Sequence, residues 1–215
     1  MGAKAWFIAY FDDDPKTVFS NAPTLDREES RKLAERLFPS MKLTMEEDGS
    51  LDYLNPDNSQ IFAGCYGGVR IIAHDELSNE FPSKIDQRWV GPPLGATAYM
   101  HVMHSVVDWF AFGLWRDGRL IRALSVSSDD GIMDEVGEPL AFERPYWDGQ
   151  FAIDDDDDEE PYPLPFHPLD LAEASMLHHL GFQFEGEIGK WVCRPDEIPI
   201  ARFTTKRKGL FGRFW

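Results

Sequence analysis

The stretch His101-Val102-Met103-His104-Ser105-Val106-Val107-Asp108-Trp109 sets two imidazoles and one carboxylate close together in the chain. Imidazole nitrogens and carboxylate oxygens ligate divalent metals. Imidazole also serves as a general acid or base near neutrality. His101 and His104 are therefore candidate metal ligands, with Asp108 or Glu143 as a further ligand or base and a metal-bound water as nucleophile. Their spacing works against convergence. Thr97, Tyr99, Val102, Val106 and Val107 favour a strand, and on a strand positions 101 and 104 point to opposite faces. Only a bend or bulge after Met103 would unite them. The competing expectation is a pair of hydrogen-bonded histidines, one on each side of a strand, because HxxH lacks the specificity of HExxH. His167 is a third candidate ligand. His178 and His179 sit near the end of a predicted helix, where a cationic imidazole complements the dipole without any function.

Other stretches carry weaker chemistry. Asp12-Asp13-Asp14 follows an apolar strand, but Pro15 and the absence of a βαβ series point to a plain loop rather than a magnesium site. The acidic run Asp154 to Glu160 lacks the glycine and spacing of a calcium loop and reads as solvated chain. Gly64-Cys65-Tyr66-Gly67-Gly68 joins strand to strand, so no helix N-terminus follows to hold a phosphate. No GxSxG elbow or SxxK pair occurs. Gly137 to Trp147 is irregular, polar and aromatic. It could line a pocket with Glu138 or Glu143 inward, or pack as a lid on the sheet. A small-molecule sensor would use an aromatic-lined pocket between the sheet and Trp147 or Trp109.

The elements that must position these residues follow from periodicity. Ala5 to Phe11 is apolar on both faces, as in a central strand. Thr24 to Phe38 predicts a helix, with capping-box spacing at Asp26 and Glu29 and a stop at Pro39. Met41 to Met45 alternates as a strand. Gln60 to Tyr66 and Val69 to His74 pair around Gly67-Gly68, and Trp109 to Trp115 pairs with Leu120 to Ser127 around Asp117-Gly118. Ala96 to His104 predicts a strand, and Asp75 to Trp89 stays undecided because Pro82 interrupts it. Ser128 to Gly149 reads as irregular. Leu169 to Leu180 predicts a helix begun by Pro168 and ended by Gly181, with closing strands at Phe182 to Glu187 and Lys190 to Cys193. Hairpins dominate, so the expected class is α+β: a mostly antiparallel sheet with an N-terminal and a C-terminal helix packed on it. Residues 1–200 form one expected domain with a mobile acidic loop at 152–161, and residues 201–215 a basic-aromatic tail.

Composition narrows the partners. The net charge of −17 repels phosphates and argues against nucleic acid. It suits a solvated protein or an unknown protein partner that is itself basic. Cys65 and Cys193 give no disulfide framework or zinc spacing. The N-terminus offers no signal peptide and no segment has the length of a membrane span, so the cytoplasm is the expected location. No cofactor is predicted beyond the divalent metal that the histidines could take. Sequence does not fix the oligomeric state.

Met1-Gly2-Ala3-Lys4, Ala22 to Arg27, Ala63-Gly64-Cys65, His101 to Phe112, Gly137 to Trp147 and Tyr162 to Leu169 together resemble an uncharacterised family of actinobacterial cytoplasmic proteins. The resemblance extends to about Phe184 and leaves the tail outside. It implies a bacterial source and a single globular unit, and supplies no activity or catalytic residues. Acidity, aromatic supply and the lack of a strong catalytic motif favour a non-catalytic binding or interaction module over the metal-assisted hydrolase and the sensor.

Overall fold

The computed structural model describes residues 3–91, 94–153, 162–185 and 191–208. Ten strands form one antiparallel sheet: β1 (Lys4–Phe11), β2 (Met41–Met45), β3 (Gly49–Ser50), β4 (Gln60–Tyr66), β5 (Val69–Ala73), β6 (Thr97–His104), β7 (Trp109–Arg116), β8 (Arg119–Ser127), β9 (Gly131–Val136) and β10 (Pro199–Arg207). Their order is β2-β10-β4-β5-β1-β6-β7-β8-β9, with β3 paired to β10. Central β1 lies between β5 and β6, and Phe7, Ile8, Ala9 and Tyr10 are fully buried. Burial on both faces is why this strand reads as continuously apolar. The β7–β8 hairpin turns through Asp117 and Gly118, both at positive φ (49° and 74°). That pair of conformations matches the twist of the flanking strands.

Among the described residues, four α-helices accompany the sheet: α1 (Pro15–Phe19), α2 (Arg27–Leu37), α3 (Arg144–Trp147) and α4 (Pro168–Leu180). The Asp26 carboxylate caps α2 by accepting from the amides of Glu28 and Glu29 at 3.0 Å. The reciprocal half of the capping box is missing. The Asp26 amide is given to the Cys65 carbonyl instead, and Glu29 turns to Lys32. Ser30 on α2 receives the Cys65 amide, which ties the helix to β4. Buried Leu33, Ala34 and Leu37 supply its apolar face. On the opposite face, Ser175 on α4 hydrogen-bonds Tyr99 on β6.

Several expectations change. Pro15 begins α1, with Asp14 as its cap, because proline suits the first turn of a helix. Asp75 to Trp89 resolves into three short 3₁₀ turns, each of them capped or broken by polar residues or proline. The irregular segment after Ser127 contains β9 and α3. The described parts of the two expected closing strands, Phe182 to Glu185 and Trp191 to Cys193, are not strands; β10 closes the sheet instead. Ala201 to Arg207, expected to open the tail, are therefore sheet residues. Ile200, Ala201 and Phe203 are fully buried, and the basic residues Lys206 and Arg207 lie where β10 outruns β4 and pairs with β2 alone. The acidic run 154–160 and residues 209–215 lie outside the described residues.

Candidate functional site

Alternation along β6 puts Tyr99 and His101 on the face covered by α4, and His104 on the other. Residues four apart on α4, Ser175 and His179, meet them. The Tyr99 hydroxyl lies 2.8 Å from Ser175 Oγ and 2.8 Å from His101 Nδ1. The His179 ring packs on Tyr99 with centroids 4.2 Å apart. His101 stacks on Phe7 at 5.3 Å and meets Phe110 at 5.4 Å. Ser, Tyr and His thus form a hydrogen-bonded chain, but Tyr99, His101 and Ser175 are all 0% exposed. Among the described residues, Nε2 of His101 and Nε2 of His179 have no hydrogen-bond partner. Burial pushes the His101 imidazole down to about 3 and that of His179 well below its ordinary range. Both rings are neutral at pH 7. The dipole account expected for His179 therefore fails, since a neutral ring brings no charge to the helix end. The paired spacings Tyr99/His101 and Ser175/His179 were the signal in the sequence, and reading histidines alone overlooked it.

Glu143 is also sealed. Its carboxylate accepts from Arg122 Nη2 at 2.8 Å, from Arg122 Nε at 3.1 Å, from the Leu140 amide at 2.8 Å and from the Trp147 indole at 3.4 Å. Arg122 and Glu143 are both 0% exposed. The remaining guanidinium nitrogen bonds Glu135 and the carbonyl of Gly137. The lone pairs of Glu143 are committed, and the pair fastens the segment around α3 onto β8. Glu138 makes no such contact and stays exposed. Trp147 meets Phe166 edge-on at 4.8 Å, and the Trp109 indole donates to Ser125 at 3.0 Å. Both indoles expected to line a sensor pocket are occupied in packing.

Asp108 and His167 do come together. Asp108 turns the chain between β6 and β7 at φ 41°, and its carboxylate lies 3.7 Å from His167 Nε2. His167 Nδ1 accepts from the Leu169 amide and so caps α4. His101 is buried away from this pair, and His104 faces Lys4 across β1. The proposed His101, His104 and Asp108 cluster is thus divided by strand alternation, with no bulge after Met103. Among the described residues, no group of three or more His, Cys, Asp or Glu side chains could hold a metal ion.

Open recesses occur elsewhere. At the end of the sheet where β1 starts and β6 stops, a cleft of about 690 Å³ is lined by residues that include Lys4, Asp52, Tyr53, Val106 and Glu185. A neighbouring recess of about 440 Å³ shares Lys4 and Tyr53 and adds Trp6, Asp57 and Asp75. Tyr53 is 48% exposed and Val106 72%. Two residues of the cleft lining are held from α4: the buried Glu173 carboxyl accepts from the amides of Phe184 and Glu185. Burial raises Glu173 to about 7.

A family of unknown function, DUF6928, matches residues 5–203. The chain belongs to that family. The DUF6928 match runs past Phe184, the expected end of the resemblance, and into β10. It covers Tyr99, His101, Asp108, Arg122, Glu143, His167, Ser175 and His179, and leaves Lys4 outside. No curated protein and no solved structure matches the chain. Among the described residues, no helix is long and apolar enough to cross a membrane.

Proposed function

We propose that this DUF6928 chain is a non-catalytic binding module whose end-of-sheet cleft receives a basic, partly apolar segment of a protein partner. The carrying observation is the lining of that cleft and its neighbour. Among the described lining residues, one cation, Lys4, stands against Asp52, Asp57, Asp75 and Glu185, beside the exposed Tyr53 and Val106. Exposed apolar side chains beside carboxylates suit a segment that carries Lys or Arg next to aliphatic or aromatic residues. The net charge of −17 would steer such a partner to the surface. A cytoplasmic location belongs to the same reading.

Titration with peptides rich in Lys and Leu, followed by Trp fluorescence, tests it. Saturable binding that weakens about tenfold in Tyr53→Ala and falls with salt is expected. Equal binding of an acidic peptide, or no effect of Tyr53→Ala and Asp52→Asn, would sink the proposal. The metal-assisted hydrolase is tested by elemental analysis of purified protein. A stoichiometric metal whose removal by chelator lowers the melting temperature would replace the binding reading with it.

A further inference from the structure

Strand β10 delivers the sequence that follows it to the mouth of the recess beside the acidic cleft. Thr204 pairs in register with Gln60, and the Ser59 carbonyl receives the Thr205 amide at 2.8 Å and the Thr205 hydroxyl at 3.1 Å. Asp57 holds Ser59 in turn, accepting from its amide and its hydroxyl. Asp57 and Gln60 line the recess of about 440 Å³ together with Lys4, Trp6, Tyr53 and Asp75. Lys206, Arg207 and Lys208 run on past the start of β4, all three exposed. Among the described residues, Asp57 and Asp75 form no ion pair, and neither do these three cations. Charges of both signs thus stand unneutralised at one end of the sheet.

The sequence beyond Lys208 has the chemistry this recess would take. Its seven residues include Arg213, Leu210, Phe211, Phe214 and Trp215, and no acid occurs after Glu197. The recess answers with carboxylates and with the half-buried Trp6 and the exposed Tyr53. Arginine and aromatic side chains pair favourably with both. Reach is sufficient. The recess extends from Gln60 on β4 to Lys4 on β1, and the order β10-β4-β5-β1 puts three strand spacings between β10 and its far side. At about 4.8 Å each, these make about 14 Å, whereas seven extended residues span about 23 Å. A second recess, of about 390 Å³, lies under α2 and is lined by Pro39, whose carbonyl accepts from Lys208 Nζ. Arg36 and Arg88 line it, and no carboxylate does among the described residues, so it repels a segment that carries Arg213.

We propose that residues 209–215 cross this end of the sheet and occupy the Trp6–Tyr53 recess of their own chain, so that a partner segment must displace them. This strap presupposes the binding role of the cleft proposed above, and adds its regulation. A segment tethered so close acts at an effective concentration on the order of 1 mM, so a contact with a dissociation constant of about 0.1 mM keeps the recess about 90% filled. The acidic surface is then masked in the free protein and open only to segments that outcompete the tail.

Photo-cross-linking from Phe214→p-benzoylphenylalanine in the full chain, mapped by mass spectrometry, tests the contact without any partner. Cross-links to Lys4, Trp6 or residues 53–60 of the same chain are expected, and Arg213→Glu should weaken them severalfold. Mixing isotope-labelled with unlabelled protein separates the two sources of the tail. Hybrid cross-links would give the recess to a second copy and overturn the intramolecular strap. Cross-links to residues 87–94, or none at all, would overturn it as well. Cutting the chain after Lys208 should then tighten binding of the peptide rich in Lys and Leu about tenfold, because the competing segment is gone. Equal affinity in the full and cut chains would overturn the masking. Cross-links to the recess with peptide binding by neither chain would defeat the partner reading alone, and peptide binding without any cross-link would defeat the strap alone.

Discussion

The two faces of the sheet treat polar groups in opposite ways. Under α4, the Tyr99–His101–Ser175 chain and the Arg122–Glu143 pair are closed off from solvent and bonded to one another. Under α2, Arg36 and Arg88 line an open cavity, and the Tyr10 hydroxyl meets no partner among the described residues. Residue types that suggest chemistry in a sequence are therefore not where chemistry is accessible. On the sealed face, titratable groups should carry stability and its pH dependence. On the open face, they should carry almost none.

The largest effect expected from this contrast is at Glu143. Glu143→Ala leaves the Arg122 guanidinium buried with its main partner gone, and should cost about 3–5 kcal/mol in denaturant unfolding. A cost near zero would mean that water reaches Arg122 and that the face is not sealed.

Glu173 comes next. Its folded value near 7 lies above the ordinary 4.5, so its contribution is fully present below pH 4.5 and is lost as pH rises towards 7. Glu173→Gln should remove that slope and leave the variant up to about 3 kcal/mol more stable, relative to wild type, at pH 8 than at pH 4. Parallel stability curves for the two proteins would place the carboxyl in solvent.

His101 titrates in the other sense. Its folded value of about 3 lies below the ordinary 6.5, so the stability it contributes is complete above 6.5 and is lost as pH falls towards 3. At pH 5 the loss, measured against a His101→Gln variant that keeps an acceptor for Tyr99, should be about 2 kcal/mol. An imidazole resonance that titrates near 6.5 by NMR would break the sealed-face description.

The smallest effect sharpens the contrast from the open side. Arg36→Gln should shift unfolding by less than about 0.5 kcal/mol, since the side chain is exposed and has no ion pair among the described residues.

Local rules made much of this fold legible. Apolar runs, the Gly67-Gly68 and Asp117-Gly118 turns and the Asp26 cap lead to the antiparallel sheet and to α2 without help from the structure. Non-local placement was not legible. Nothing in Pro199 to Arg207 announces that it pairs with both Met41–Met45 and Gln60–Tyr66, because register between distant strands is set by packing. The site followed the same division. Strand alternation alone separates His101 from His104, whereas the meeting of Asp108 with His167 depends on how α4 docks. Glu143 was singled out for its carboxylate, but Arg122, the residue that decides its role, gave no sign in a strand of otherwise ordinary pattern.

Strand β10 has a consequence for how the chain is made. It sits between β2 and β4, and the Thr205 amide reaches Ser59 across 146 positions of sequence. Until residues 199–207 leave the ribosome, β4 presents an unpaired edge and the β2 segment has no neighbour to join. The nascent chain thus spends most of its synthesis with an open strand edge, the geometry that recruits a second copy. Truncation before residue 199 should yield insoluble protein, while the same cut after residue 208 should not.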